Sequence, residues 1–317
     1  MHRSIVIDTD TASDDAVAIL QAVLHPDIEV RAVTTVAGNV PLETATRNAL
    51  LTLELGGAPQ VPVHPGCAKP LLRALETAQH VHGEDGMSGA PLASPVTLPQ
   101  SEHAVEALLR LGREEPGVHE LVTLGPLTNV ATALLIDPDL LTRFTRVTMM
   151  IGAADARGNI APTGEFNAWA DPEAAGIVFA APGDKHMVGW DASRKYAVIT
   201  DEDEAELRAT GTFGEFLADI NRAVRDWGRD VTGIDGYDLP DPLAMAVAID
   251  PSIVEASETA HVAVSTDEAT RGQTYADHRL PRRTPNLTIV TAVQADALKR
   301  QLMWLFAREF EAVGADA

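Results

Sequence analysis

The 317-residue chain has a single cysteine, few basic residues and no uninterrupted apolar stretch of membrane-spanning length. A lone Cys67 rules out an intramolecular disulfide and fits a reducing compartment, the cytoplasm. Lys and Arg total 24 against 46 Asp and Glu, a formal charge of -22. That balance opposes binding to phosphate backbones and to anionic lipid, so neither nucleic acid nor a membrane is an expected partner. The opening Met1-His2-Arg3-Ser4 leads straight into a strand and not into a signal-peptide core. Internal repeats, low-complexity tracts and flexible linkers are missing as well. A single domain over residues 1–317 is therefore expected, a length that α/β folds reach as one unit.

Carboxylate is what the chain has in plenty, and one turn concentrates it. Asp8, Asp10, Asp14 and Asp15 fall within eight residues, after Ser4-Ile5-Val6-Ile7 and before Ala16-Val17-Ala18-Ile19-Leu20. Four like charges gathered at a strand end cost stability unless a cation sits between them. Helix chemistry accounts for half of the set: with Ser13 as N-cap, Asp14 and Asp15 occupy the first turn, where free N–H groups and the macrodipole favour negative charge. Asp8 and Asp10 precede that cap at alternating positions, so a strand pleat points both to one side. The competing reading is a solvated acidic turn.

Along the chain, β-branched runs alternate with helical patterns. Strands are expected at Val30–Val36, Glu120–Leu124, Arg146–Ile151 and His186–Trp190, with a short one at Val61–Val63 and late ones at Ala260–Ser265 and Asn286–Val290. Helices are expected from Leu42 to Leu55, closed by Gly56-Gly57, then over Glu102–Leu111, Leu127–Ile136 and from Asp171-Pro172 onward. Two more span Glu202 to Trp227, Asp241 caps another through Ile249, and Val293–Phe310 closes the chain. His80–Gly89 and Gly152–Ala170 read as loops. The alternation predicts an α/β, Rossmann-like fold with a mainly parallel central sheet and helices on both faces. Ligands bind beyond the carboxyl ends of such strands, so the acidic turn, Asn39, the turn after Leu124 and the Gly152 loop should face one crevice.

The turn reads DTDxxxDDAxAI and resembles the N-terminal signature of the inosine-uridine-type nucleoside hydrolases, calcium-dependent enzymes that cut the N-glycosidic bond of ribonucleosides. Further segments carry the same resemblance: Val81-His82-Gly83, Gly125-Pro126-Leu127-Thr128-Asn129, Gly158-Asn159 with Glu165-Phe166-Asn167, Asp171-Pro172-Glu173, and Asp241-Pro242-Leu243-Ala244. The resemblance implies Ca2+ held by Asp10, Asp15, Asp241 and the Leu124 carbonyl. These are hard oxygen donors that suit calcium, and no compact Cys/His cluster argues for zinc. It further implies Asp14 and Asn167 on ribose hydroxyls, Asn39 on the sugar face, Asn159 and Glu165 on the 5′-hydroxyl, and a homo-oligomer, dimer or tetramer, engaged in nucleoside salvage. A cation there lowers the pKa of water, Asp10 takes the proton as water attacks the sugar carbon, and ribose leaves with oxocarbenium character.

Each assignment has a plainer counterpart. Asn39 is also a good turn residue, Glu165 an ordinary loop acid, and Asn129 a capping or packing group. His82 either touches the base or sits in a glycine-flanked loop, while Phe166 and Trp169 either stack on the base or belong to the core. Tyr237 and Trp227 are weaker base-side candidates. One position departs from the family pattern: many relatives carry, immediately before the late aspartate, a histidine that protonates the leaving base, and here the residue is Pro240, which has no side-chain proton. Asp235, Tyr237, Asp238 or His82 would have to substitute, or the substrate is another N-ribosyl compound whose leaving group needs no proton. A nucleoside- or ribose-binding protein with little turnover is the remaining alternative.

Overall fold

Nearly every β-branched run forms the strand expected of it. The computed structural model describes residues 3–279 and 283–307. Its strands are β1 (Arg3–Thr9), β2 (Ile28–Thr35), β3 (Val63–Pro65), β4 (His119–Thr123), β5 (Val147–Met150), β6 (Lys185–Val188), β7 (Val198–Ile199), β8 (Tyr237–Asp238), β9 (Val254–Ala260), β10 (Val262–Val264), β11 (Thr274–Ala276) and β12 (Leu287–Val293). Eight of them make one sheet in the order β3-β2-β1-β4-β5-β6-β12-β9, while β7 pairs with β8 and β10 with β11. All neighbours in the large sheet run parallel except β9 against β12.

The pleat of β1 shows why both faces need helices. Ile5 and Ile7 point into one core with the helices Ser13–Leu24, Leu42–Leu55, Pro240–Ile249 and Ala297–Ala307. Val6 points into the other, with Ala104–Glu114, Thr128–Ile136 and Pro172–Ala180. All three β1 side chains are fully buried, each stabilising the fold by ~1.5–3 kcal/mol. Helix punctuation follows the sequence where the chemistry is local. Leu42–Leu55 ends at Gly56, whose N–H reaches the Thr52 carbonyl at 2.9 Å, and Gly57 follows at φ +71°, a left-handed conformation that glycine adopts without strain. Asp171 caps its helix through the Ala174 N–H at 3.1 Å, with Pro172 in the first turn.

Several boundaries differ from expectation. Ser13 is the first helical residue after an Ala12 N-cap, and its hydroxyl lies 2.9 Å from His82 Nδ1. Asp241 is likewise inside its helix: Leu239 is the N-cap, Pro240 begins the helix, and the carboxyl group belongs to an acidic cluster instead of capping. The expected loops each contain a short helix, Gln79–His82 and Phe166–Ala170, too brief to leave a period in the sequence. Residues 202–227 hold parts of three helices, not two, and Trp190–Tyr196 and β9 were not expected. The last helix covers Ala297–Ala307; Phe310, its expected end, lies outside the described residues.

Strand order places the crevice. β1 is flanked by β2 on one side and β4 on the other, so crossovers leave it in opposite directions and their loops part at the carboxyl ends of β1 and β4. Asp10 follows β1 and Leu124 follows β4.

Candidate active site

At that switch point the acidic turn folds under a pocket. Asp10 Oδ2 accepts the Asn39 N–H at 2.5 Å, and its position leaves no room for side chains on two neighbouring glycines. A Cβ on Gly38 would lie 2.1 Å from Asp10 Oδ2, and one on Gly125 would lie 2.7 Å from Oδ1. Asp15 is held by its own turn, with Oδ1 accepting the Thr9 hydroxyl at 2.5 Å and Oδ2 the Ala12 N–H at 2.9 Å. Asp14, Asp15 and Asp241 each offer a carboxylate oxygen within 4.8 Å of the others.

The fourth acid of the turn goes elsewhere. Asp8 Oδ1 accepts from Thr34 Oγ1 at 2.6 Å and Asn129 Nδ2 at 2.8 Å, so Asp8 is a hydrogen-bonded structural acid and Asp241 takes its place in the cluster. Asn129 also reaches the Thr35 carbonyl and accepts the Cys67 N–H, the packing role expected of it.

The cluster is electrostatically unsatisfied. Burial, then the charge of Asp15, holds the Asp10 carboxyl well above the ordinary range. Burial raises Asp14 to about 7, and burial with the Asp14 charge raises Asp15 to about 6. Asp241 is also raised strongly, by burial first and then by Asp14, Asp15, Asp10 and Glu165. Asp10 Oδ1 and Asp14 Oδ1 are buried without a hydrogen-bond partner. A buried acceptor left unpaired costs about 1–3 kcal/mol, more for a charged one, and a cation among these oxygens removes both penalties.

Above the cluster, the pocket wall includes Asp14, Asn39, His82, Leu124, Asn159, Glu165, Asn167 and Asp241. Asp10 and Asp15 do not line it; they lie fully buried beneath. Asn167 Nδ2 donates to the Leu124 carbonyl at 2.7 Å and to the Met150 carbonyl at 3.0 Å, clasping the ends of β4 and β5. A carbonyl oxygen has two lone pairs, so Leu124 retains one for another partner. Glu165 caps the Phe166–Ala170 helix, accepting the N–H groups of Gly152, Asn167 and Ala168 at 2.6, 2.8 and 3.1 Å. Burial nonetheless raises it to about 7. Asn159 Oδ1 accepts the Phe166 N–H at 2.9 Å, which turns the loop after β5 toward the pocket.

The rest of the lining is built differently. Val81, Met150, Ile160, Phe166, Trp190 and Trp227 give it an apolar surface suited to a flat ring. Of these, Met150 and Trp190 carry no local motif; Met150 ends β5 and Trp190 follows β6, and only those places at the ends of parallel strands would have pointed to them. Phe166 lines the pocket, whereas Trp169 lies behind it under the Arg271 guanidinium, 3.8 Å from the ring centroid. His82 sits low in the wall, and burial depresses its pKa to about 4. Among the described residues, the pocket lining contains no lysine or arginine.

Of the substitutes considered for a histidine at 240, Asp235 is exposed and outside the pocket, and Tyr237 is buried with its hydroxyl toward Glu204. Asp238 and Pro240 both line the pocket.

Comparisons with known proteins agree with this geometry. Residues 5–300 match the family model described as inosine-uridine preferring nucleoside hydrolase. The chain is 38% identical over 289 residues to the inosine-uridine preferring nucleoside hydrolase of Leishmania major, spanning 89% of this chain and 90% of that protein. It is 37% identical over 298 residues to the pyrimidine-specific ribonucleoside hydrolase RihA of Salmonella gallinarum, spanning 93% and 95%. Among solved structures, a plant nucleoside hydrolase superposes with a TM-score of 0.92 at 31% identity, over 97% of this chain and 99% of that one. With the acidic turn, the strand-end pocket and matches along almost its whole length, the chain belongs to the inosine-uridine preferring nucleoside hydrolase family, enzymes that hydrolyse the N-glycosidic bond of ribonucleosides.

Proposed function

We propose that the chain hydrolyses ribonucleosides to ribose and free base with a bound calcium ion, Asp10 serving as general base. The observation that carries this reading is the convergence of Asp10, Asp14, Asp15 and Asp241 under the pocket, with two buried carboxylate oxygens unpartnered. Such a donor set, all oxygen and rich in carboxylate, fits a hard divalent cation of calcium's coordination habits. Asp10, Asp15, Asp241 and the Leu124 carbonyl would hold it. When bound, the ion offsets the clustered negative charge and makes a neighbouring water easier to ionise.

The remaining work falls to the chain. Asp10 has one oxygen committed to the Asn39 N–H and the other free, so it can take the proton of the attacking water. Asp14 is 7% exposed and lines the pocket, unlike Asp10 and Asp15 at 0%, which suits it to a ribose hydroxyl. Asn167, fastened to two strand-end carbonyls, is pre-positioned for a second hydroxyl, with Asn39 against the sugar face. Glu165 and Asn159, side by side at the start of the Phe166–Ala170 helix, would hold the 5′-hydroxyl. Negative side chains around the sugar stabilise the oxocarbenium character that develops as the base departs.

A panel of uridine, cytidine, inosine and nicotinamide riboside, assayed with calcium and again with chelator, tests the proposal by product analysis. Ribose and free base should appear with calcium only. Absence of ribose from every substrate would leave a binding protein as the better description.

A further inference from the structure

Leaving-group chemistry is the part of the reaction that Pro240 leaves unassigned. Two residues upstream, β8 ends at Asp238, which lines the same pocket. Its carboxyl group is anchored: Oδ2 lies 2.9 Å from Ser193 Oγ, and the Trp190 side chain, itself in the pocket wall, lies against it. The other proton-bearing groups are placed less well. His82 is tied to Ser13 next to Asp14, on the sugar side, and His80 stands exposed at the rim.

We propose that Asp238 meets the leaving base and supplies its proton, an inference that rests on the hydrolase reading above. Ser193 fixes the carboxyl group in place: its hydroxyl donates to Asp238 Oδ2 at 2.9 Å and lies 3.0 Å from the Trp190 carbonyl, so one carboxyl oxygen is anchored. Burial raises the Asp238 carboxyl, opposed by Ser193, Trp190 and the nearby Arg194 charge. Arg194 is itself engaged by Asp155 at 2.7 Å, and Asp14 faces Asp238 from the sugar side, where like charge favours a protonated partner.

The step balances without a further reactant. The C1′–N bond breaks and its electron pair goes to the base nitrogen; the base takes the proton of Asp238, leaving a carboxylate. A water oxygen bonds to C1′ and its proton goes to Asp10. Solvent then returns a proton to Asp238 and receives one from Asp10.

Leaving-group dependence tests the assignment without relying on a pH profile. Uridine and inosine need protonation to depart, whereas nicotinamide riboside and 4-nitrophenyl riboside do not. In Asp238→Asn, which keeps the shape and the Ser193 contact, kcat/KM should fall ~10²–10⁴-fold on the first pair and less than about tenfold on the second. Asp238→Ser, a smaller side chain, should show the same split if the Asn variant folds poorly, and equal ribose affinity in calcium would show the sugar site intact. Equal loss on all four substrates would mean a structural role, and undiminished uridine and inosine cleavage would remove Asp238 from the reaction; either overturns the proposal. So would the same selective loss in His80→Gln. If the unmodified protein cleaves none of the four, the hydrolase reading itself fails; if it cleaves only the activated pair, this assignment alone fails.

Discussion

The two sides of the pocket are held by different parts of the chain. On the side proposed for the sugar, polar groups rest on backbone at the ends of parallel strands and in the turns that follow: Asp10 on the Asn39 amide, Asp15 on the Ala12 amide, Glu165 on three amides, Asn167 on two carbonyls. On the base side, the wall includes Val81, Val224 and Trp227, carried on the short helices Gln79–His82 and Arg222–Trp227, which are tied through Ser88 to Ala223 and Arg222. Strand-end amides stay put because the sheet's ladder fixes them, so the chemistry is rigidly founded. Short helices joined by side-chain contacts tolerate substitution, so base preference can change without disturbing catalysis.

This contrast is breakable. Asp10→Asn should produce the largest effect, a fall of ~10²–10⁴-fold in single-turnover rate, measured with calcium occupancy in parallel because Asp10 is also a proposed ligand. Near-normal chemistry in the metal-loaded variant would assign the base to another residue. Gly125→Ala comes next. Its methyl would lie 2.7 Å from Asp10 Oδ1 and 2.9 Å from the Asp10 backbone nitrogen, so Asp10 must move. A displacement of about 1 Å costs ~10²-fold in rate, and overpacking costs about 1–3 kcal/mol of stability. Unchanged turnover in Gly125→Ala would show that the sugar side is softer than its hydrogen bonds suggest.

Chelation sharpens the same point thermodynamically. An ion at a hundred times its Kd stabilises by about 2.7 kcal/mol, and at ~2–4 °C per kcal/mol for a chain of this order its removal should lower Tm by roughly 5–10 °C. A calorimetric midpoint indifferent to chelator would count against a built ion site.

Smaller effects belong to His82 and to the base side. His82 ionises at about 4 in the fold against 6.5 ordinarily, because burial disfavours the imidazolium. The unfolded chain therefore takes up the proton first, and the His82 contribution to stability is complete above pH 6.5 and lost as pH falls toward 4. Between pH 7 and 5 this amounts to about 1–2 kcal/mol, and His82→Gln should flatten the denaturant-unfolding pH dependence by that much. Trp227→Ala should change least, raising KM for a preferred nucleoside about 2–10-fold through lost ring contact while kcat and Tm hold. A large fall in kcat would erase the distinction between the two sides.

Legibility in the sequence divides along the same line. The sugar side is written in contiguous words, Asp8–Asp15, Gly125–Asn129 and Glu165–Asn167, because strand-end turns place neighbouring residues at one site. Asp8 misleads within its own word: strand alternation groups it with Asp10, but its partners Thr34 and Asn129 are distant in sequence. The long helices were readable from period and punctuation, Leu42–Leu55 to the residue. One-turn helices such as Gln79–His82 leave no period, and Trp190–Tyr196 is masked by its polar residues. Met150, Trp190 and Val224 reach the pocket from separate elements, a juxtaposition only the tertiary fold creates.

The lining without lysine or arginine also decides what stays out. A nucleotide differs from its nucleoside by a phosphate carrying about -1.5 to -2 charges at neutral pH. Here that group would meet Asp14, Glu165, Asp238 and Asp241, with no lysine or arginine among the described residues of the lining. The far field, set by a formal charge of -22, turns the same anions away before they arrive. On electrostatic grounds the acidic lining should therefore favour uncharged nucleosides over their phosphorylated forms, a preference that competition by nucleotides would measure.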